Sequence, residues 1–295
     1  MTSLSGKVVL ITGGARGVGA EVARRLHRRG ARLVLVDLDR EPLAALADEL
    51  GPHALPVVAD VRDLSAMEAA VAQGIERFGG IDIVMANAGI ASYGSVLAVD
   101  PAAFRRVIEV NVLGVFHTVR AALPSIVERR GYVLVVSSAA AYAAAPGLTA
   151  YCTAKAGVEH FANSLRLEVA HLGVDVGSAH MAWIDTPMVQ DAKADLPAFR
   201  KMLAALPGPL GKTTTVEACG RRFERGVERR AKRINVPGWV GAARWLKPLM
   251  QTPLAERDVR RNARRLLPEM DAEVAGLGRS VSARVQALGE AASTD

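Results

Sequence analysis

Cysteine is nearly absent from this 295-residue chain, with Cys152 and Cys219 the only two. A disulfide framework is therefore excluded as a source of stability. Neither thiol stands among ligands at a metal-binding spacing, so no metal site is expected. Aromatic residues make up only 4% of the chain, and they are not interleaved with basic residues in any recognisable nucleic-acid motif, so nucleic acid is not an expected partner. The longest apolar stretch, Val133–Ala150, is broken by Ser137, Ser138, Pro146 and Gly147. It reads as a buried strand and a loop, not a membrane span. One lysine separates Met1 from the apolar run Val8–Ile11; no secretory signal is expected there, and a reduced, cytoplasmic protein is the simple expectation. Internal repeats are lacking too.

Half the residues are apolar and glycine is plentiful, a profile of helices packed closely on a sheet and not of a disordered chain. The length suits one large α/β domain with additions. The net charge of +7 is unevenly placed: Arg221–Arg265 holds fourteen Lys/Arg against four Asp/Glu, and the rest of the chain carries about −3. A solvated, salt-bridged helical face explains such a segment, and so does contact with anionic lipid.

Short apolar strands alternate with amphipathic helices along the first 180 residues. Strands are predicted at Lys7–Ile11, Arg32–Val36, Ala54–Val58, Ile81–Asn87, Gly131–Ser137 and Val174–His180, with a short one at Arg233–Val236. Helices are predicted at Val18–Arg29, Arg40–Leu50, Leu64–Phe78, within Pro101–Ile126, at Tyr151–His171 and at Thr215–Arg230. Strands apolar throughout and separated by helices mean a parallel sheet covered on both faces, hence a doubly wound, Rossmann-like α/β fold. This domain is expected over residues 1–240. Residues 187–212, with four prolines and a helical piece Ala198–Leu206, read as an insertion over the carboxyl edge of the sheet, where substrates bind in such folds. Residues 241–295 read as a basic C-terminal helical extension.

The segment Thr12-Gly13-Gly14-Ala15-Arg16-Gly17-Val18-Gly19 joins the first strand to the first helix. Glycines there let the backbone turn sharply and approach a pyrophosphate, while the helix N-terminus presents free N–H groups. Asp37 ends the second strand, at the separation expected of a carboxylate that accepts ribose hydroxyls. A carboxylate repels a 2′-phosphate, and Leu38 adds no cation beside it; NAD(H) is favoured over NADP(H), although Arg16 offers one charge that a phosphate would use. Asp60-Val61 and Asn87-Ala88-Gly89 close the third and fourth strands as ordinary turn residues.

Together with Asn111, Ser138 and Tyr151-Cys-Thr-Ala-Lys155, these pieces occur in the order of the short-chain dehydrogenase/reductase family, and the chain resembles its single-domain branch over roughly the first 190 residues. The resemblance implies an oxidoreductase acting on an alcohol or ketone, with Ser138, Tyr151, Lys155 and Asn111 catalytic. It implies that Gly13, Arg16, Gly17, Val18, Gly19, Asp37, Leu38, Asp60, Val61, Asn87, Ala88, Gly89, Ile184 and Thr186 line the cofactor site with Tyr151 and Lys155. It selects Ser138 over its neighbour Ser137 by the distance to Tyr151, and it implies a homodimer or homotetramer formed through the long helices. Asn111 would bend its helix and support a water leading to Lys155. One departure stands out, Met181-Ala182 where the family usually has Pro-Gly.

The residue types suit the chemistry. Tyr151 and Lys155, four apart on a helix, share a face. A free phenol has a pKa of about 10, too high for an effective base near neutrality. An ammonium about 5 Å away, at an effective dielectric of ~20, favours the phenolate by roughly 3 kcal/mol. Ser138 would steady the substrate oxygen.

Met188, Val189, Leu196, Phe199, Met202, Leu203, Leu206 and Leu210 in the insertion suggest an apolar substrate such as a steroid, a retinoid-like compound or a lipid-derived alcohol; packing of the insertion on the core explains them as well. Trp239 to Met250 suits either a membrane-surface helix or docking on a partner subunit. A non-catalytic dinucleotide sensor or scaffold is the alternative function, and it would not require the hydroxyl, phenol and ammonium together.

Overall fold

The computed structural model describes residues 3–291. Its strands are β1 (Val8–Thr12), β2 (Arg32–Asp37), β3 (Ala54–Val58), β4 (Ile83–Ala86), β5 (Tyr132–Val136), β6 (Asp175–Met181) and β7 (Arg233–Val236). All pair in parallel, in the order β3-β2-β1-β4-β5-β6-β7. β1, β4 and β5 are buried along their whole length, as strands covered on both faces must be.

Alternate side chains of β1 serve opposite cores. Val9 and Ile11 pack with helices α1 (Gly17–Arg28), α2 (Arg40–Leu50) and α9 (Val216–Glu228) on one face. Val8 and Leu10 pack with α3 (Leu64–Phe78), α5 (Gly114–Glu128) and α6 (Thr149–Val169) on the other. This period of two turns a near-continuous apolar run into two cores. Local signals set the ends of elements: the Asp63 carboxylate accepts the Ser65 and Ala66 N–H groups at the start of α3, and Gly79 in the left-handed conformation stops it.

The predicted helix within Pro101–Ile126 is α4 (Pro101–Ile108) running into α5 through a single π-helical turn, Glu109–Leu113. The fourth strand is shorter than predicted, Ile83–Ala86, although the Asp82 backbone still links β1 and β5 by donating to the Val8 carbonyl at 2.9 Å and accepting the Tyr132 N–H at 3.0 Å. β1 and β4 are neighbours, yet their connections leave in opposite directions, so a crevice opens at their carboxyl ends.

A third layer covers that crevice. Helices α7 (Pro187–Asp195) and α8 (Pro197–Ala204) form the insertion, and α10 (Val240–Met250), α11 (Pro253–Leu277) and α12 (Ala283–Ala291) form the end of the chain. On α11 a stripe of Leu266, Met270 and Val274 is buried, and Met270 and Val274 pack with Phe199 and Leu203 of α8. Polar clips fix the same layer. Glu273 accepts the Ala198 N–H at 3.0 Å, Arg279 meets Asp195 at 2.8 Å, and Arg284 meets Asp191 at 2.9 Å. Asp271 accepts both the N–H and the hydroxyl of Ser95 at 2.7 Å. The last four residues of the basic extension lie outside the described residues.

Candidate active site

The crevice is a cleft of about 560 Å³. Every catalytic and cofactor residue predicted from the sequence lines it except Gly19 and Asn111, and of the eight apolar insertion residues all but Leu196 and Leu203 do.

One end is built by the glycine loop. Gly13 and Gly17 have φ of +63° and +54°, which a side chain would strain, and a Cβ on Gly13 would come within 2.9 Å of the Ala88 Cα. Gly19 acts differently: a Cβ there would stand 2.1 Å from the Gly13 carbonyl oxygen, so its hydrogen is what lets α1 close on the loop. The Asn87 amide donates to the Thr12 and Gly13 carbonyls at 2.9 and 3.1 Å, and the Thr12 hydroxyl accepts from the N–H groups of Asn87 and Ala88. Asn87 thereby holds the loop from beneath. The first turn of α1, at Gly17, Val18 and Gly19, leaves its N–H groups without intrahelical acceptors beside this glycine cradle. A pyrophosphate fits such a place.

Asp37 has one oxygen on the Ala15 N–H at 2.9 Å and the other on the Asp39 N–H at 3.1 Å; burial pushes its carboxyl up, against those hydrogen bonds. Arg16 is not directed at Asp37. Its guanidinium holds the Asp39 carboxylate through two nitrogens at 2.8 and 2.9 Å. Asp39 was not singled out from the sequence, where it reads as a helix-start residue. Asp60 is gripped by Arg62 at 2.6 Å, and Val61 and Leu38 complete this side of the cleft.

Deeper in, Lys155 is buried and its ammonium donates to the Val136 carbonyl at 2.9 Å, 5.6 Å from the centroid of the Tyr151 ring. Gly89 leaves room for it, since a Cβ there would lie 3.4 Å from the Lys155 Nζ and 3.3 Å from the Asn111 Oδ1. Asn111 sits in the π turn with its amide spent on one residue: it donates to the Ile90 carbonyl at 2.9 Å and accepts the Ile90 N–H at 2.8 Å. The two serines divide. Ser137 is buried and donates to the Lys155 carbonyl at 2.8 Å, whereas the Ser138 hydroxyl donates to the Met181 carbonyl at 3.3 Å and lies close enough to the Tyr151 phenol to act on it.

The expectation that the ammonium lowers the phenol requires correction for the protein alone. Burial dominates both groups, pushing Tyr151 up to about 12, with Ser138 opposing, and Lys155 down to about 8. The ammonium is also engaged by a carbonyl and stands over the Tyr151 ring.

Behind Ser138 lies a polar cluster that sequence reasoning missed. His180 stacks on Tyr142 at 4.6 Å, its Nε2 is 2.9 Å from the Ser178 hydroxyl, and its Nδ1 is 3.4 Å from the Ser138 carbonyl. Arg233 joins the cluster to Glu159 at 2.9 Å and to Asn163 at 3.2 Å. Only contact between β6, β7, α6 and the segment after β5 assembles it, so no local spacing signals it. The departure Met181-Ala182 sits here as well: the Met181 carbonyl receives Ser138, and the Ala182 N–H extends the sheet to the Val236 carbonyl at 2.8 Å. Ile184 pairs with Thr214, and Thr186 precedes α7 with its methyl near Gly17.

The far end of the cleft is apolar. Phe199 meets Trp183 and Tyr93 edge-on, at 5.5 and 6.0 Å between centroids. Met250, Val259, Leu266 and Met270 bring the end of the chain into the same wall. The sequence offers α10 and α11 as a surface; their inner faces are cleft wall.

The family model for short chain dehydrogenases matches residues 7–197. Oxidoreductase UcpA of Salmonella typhimurium is 37% identical over 195 residues, covering 64% of this chain and 74% of that protein. A (-)-trans-carveol dehydrogenase of Rhodococcus erythropolis is 39% identical over 210 residues, covering 65% and 76%. Among solved structures, 3-ketoacyl-(acyl-carrier-protein) reductase from Brucella melitensis, complexed with NADH, superposes with a TM-score of 0.72 at 29% identity, covering 79% of this chain and 98% of that one.

Proposed function

The chain belongs to the short-chain dehydrogenase/reductase family, whose members are oxidoreductases of CH–OH groups, and from that membership we propose that it moves a hydride between NAD(H) and an apolar alcohol or its carbonyl counterpart. One observation carries the reading. The Ser138 hydroxyl, Tyr151 phenol and Lys155 ammonium converge on a cleft with a glycine cradle at one end and a mostly apolar wall at the other.

The backbone at Gly13 and Gly17, with the first turn of α1, would take the pyrophosphate, and Asp37 the adenosine ribose. Asp60, Val61 and Leu38 would flank the adenine, Ala88 and Gly89 the middle of the cofactor, and Ile184 and Thr186 the carboxamide. When bound, the nicotinamide supplies the hydride acceptor or donor and, oxidised, a positive charge. Tyr151 takes the proton of the substrate hydroxyl in oxidation and returns it in reduction. Ser138 hydrogen-bonds the substrate oxygen as charge develops there. Lys155, held beside Tyr151, holds ribose hydroxyls and favours the phenolate while it is charged.

NAD(H) is supported over NADP(H) by two carboxylates, Asp37 and Asp39, with the nearest guanidinium already paired to the second. A 2′-phosphate would meet net negative charge. Exposed Phe116 on α5 and Leu167 on α6 support a homodimer or homotetramer through those helices. The test is reduction of NAD+ and, separately, NADP+ with alcohols ranging from short polyols to steroids and long-chain alcohols. Turnover of apolar alcohols with NAD+ is expected; faster turnover of polyols than of every apolar alcohol would overturn the substrate class.

A further inference from the structure

We propose that α10 and the start of α11 form a tip that docks on an anionic phospholipid bilayer beside the mouth of the cleft. The polarity of α10 is inverted for a surface helix. Its exposed residues are Ala242, Trp245, Leu246, Pro248 and Leu249, all apolar, while its two charged residues, Arg244 and Lys247, are half-buried. Lys247 donates inward to the Ala141 carbonyl at 3.1 Å, and Arg244 lies 4.7 Å from the centroid of the Trp245 ring. Trp245 is 75% exposed and Leu249 62%, and Leu254, at the start of α11, continues the ridge at 81%. Among the described residues nothing covers these side chains.

Charge identifies the occupant. From Arg244 to Arg265 there are seven Lys/Arg against two Asp/Glu, a net +5. Exposed arginines follow the apolar ridge along α11: Arg260 and Arg261 are paired with Glu256 and Asp258, and Arg257, Arg264 and Arg265 have no acidic partner among the described residues. An apolar ridge beside basic residues matches lipid tails beneath anionic headgroups. A second copy of the chain would bring the same +5 against it, so self-association through the tip is opposed.

Position gives docking a use. Met250 and Val259, on the same two helices as the ridge, line the cleft. A bilayer on the tip therefore lies next to the apolar end of the site, where a lipophilic alcohol would partition. That use rests on the proposed function; docking itself does not.

The experiment is flotation of the full-length protein with vesicles of phosphatidylcholine containing phosphatidylglycerol, against vesicles of phosphatidylcholine alone, at about 0.1 M and about 0.5 M NaCl. Binding to the anionic vesicles is expected, weakened at least ~10-fold by the higher salt or by omission of the anionic lipid. The triple substitution Trp245→Ser, Leu249→Ser, Leu254→Ser should reduce partitioning at least ~10-fold while NADH binding and circular dichroism stay unchanged. Arg257→Gln with Arg264→Gln and Arg265→Gln, which leaves the ridge intact, should remove most of the salt dependence. No flotation with anionic vesicles at the lower salt overturns the proposal. So does concentration-dependent self-association that the triple serine substitution disperses, since a second copy would then be the occupant. Neither readout uses turnover, so failure here is distinguishable from failure of the hydride-transfer reading.

Discussion

Arg16 closes its guanidinium on the carboxylate of Asp39 at 2.8 Å, which pairs a cation of the cleft with the carboxylate two residues beyond Asp37. Two residues apart, Asp37 and Asp39 divide the work: the first ties down the glycine loop and the second occupies the arginine.

Freeing that arginine should change cofactor choice. Asp39→Asn is expected to raise kcat/KM for NADP+ about 10-fold with little change for NAD+, since one repulsive charge goes and one guanidinium becomes available to a phosphate. Asp37→Ser with Asp39→Asn should raise it further. Steady-state kinetics with both cofactors checks this; an unchanged NADP+ value in the double variant would show that the ribose end lies elsewhere.

Tyr151→Phe should lower kcat at least ~10³-fold while NADH affinity, read by fluorescence, changes less than about threefold. The pH dependence follows from half-buried Tyr151 and buried Lys155. Oxidation needs the phenolate, and the protein alone holds Tyr151 near 12, so kcat/KM for the alcohol should climb with pH from neutral upward. Lys155, pushed down to about 8, loses its charge in the alkaline range and with it its support for the phenolate. Lys155→Met should therefore move the climb to higher pH by about one unit or more. A profile identical to the parent would remove Lys155 from the proton step.

The clips between insertion and extension should act on substrate and not on cofactor. Arg279→Ala or Asp195→Ala, breaking the 2.8 Å pair, is expected to raise KM for an apolar alcohol about 5-fold with the Kd for NADH unchanged. The double variant should cost less than the two single changes added together, with a coupling of about 1 kcal/mol. Strict additivity would mean that the pair carries no load.

His180 predicts an acid weakness of the fold. Burial pushes it down to about 4, although Glu159 pulls the other way, so the folded state holds the neutral ring. Its contribution is complete above the unfolded value of about 6.5 and fades as pH falls toward 4, by at most about 3 kcal/mol. Melting temperatures from pH 8 to pH 4 should fall more steeply for the parent than for His180→Gln. Parallel curves would contradict the assignment.

What was legible in the sequence is what is local. β1, β2 and β5 announce themselves as apolar runs, the glycine loop lies within eight consecutive residues, and Tyr151 and Lys155 share one helical face. Ser138 was separable from Ser137 only through the family spacing, and the structure shows a physical difference: the Ser137 hydroxyl is spent on the Lys155 carbonyl, whereas Ser138 lines the cleft beside Tyr151. The phenol's own level was misjudged, because a pairwise charge is easily read from spacing and burial is not. Asp39 was overlooked, since an Asp before a helix has an ordinary explanation. Least legible was the apolar wall of the cleft. On α11 only Leu266, Met270 and Val274 are buried, a thin stripe among many charges, and its partner α8 is more than sixty residues away in sequence.

The wall supplied by α11 and α12 also has a timetable. The chain is made from its N-terminus at roughly 5–20 residues per second, so β1 to β7 and the glycine cradle are synthesised before the last two helices. While those helices are being made, the growing protein has all the residues of its dinucleotide floor but an open side where Arg279 and Arg284 will later fasten. Occupation of that floor by a dinucleotide at this stage would favour the folded sheet before α11 and α12 close the far side of the cleft.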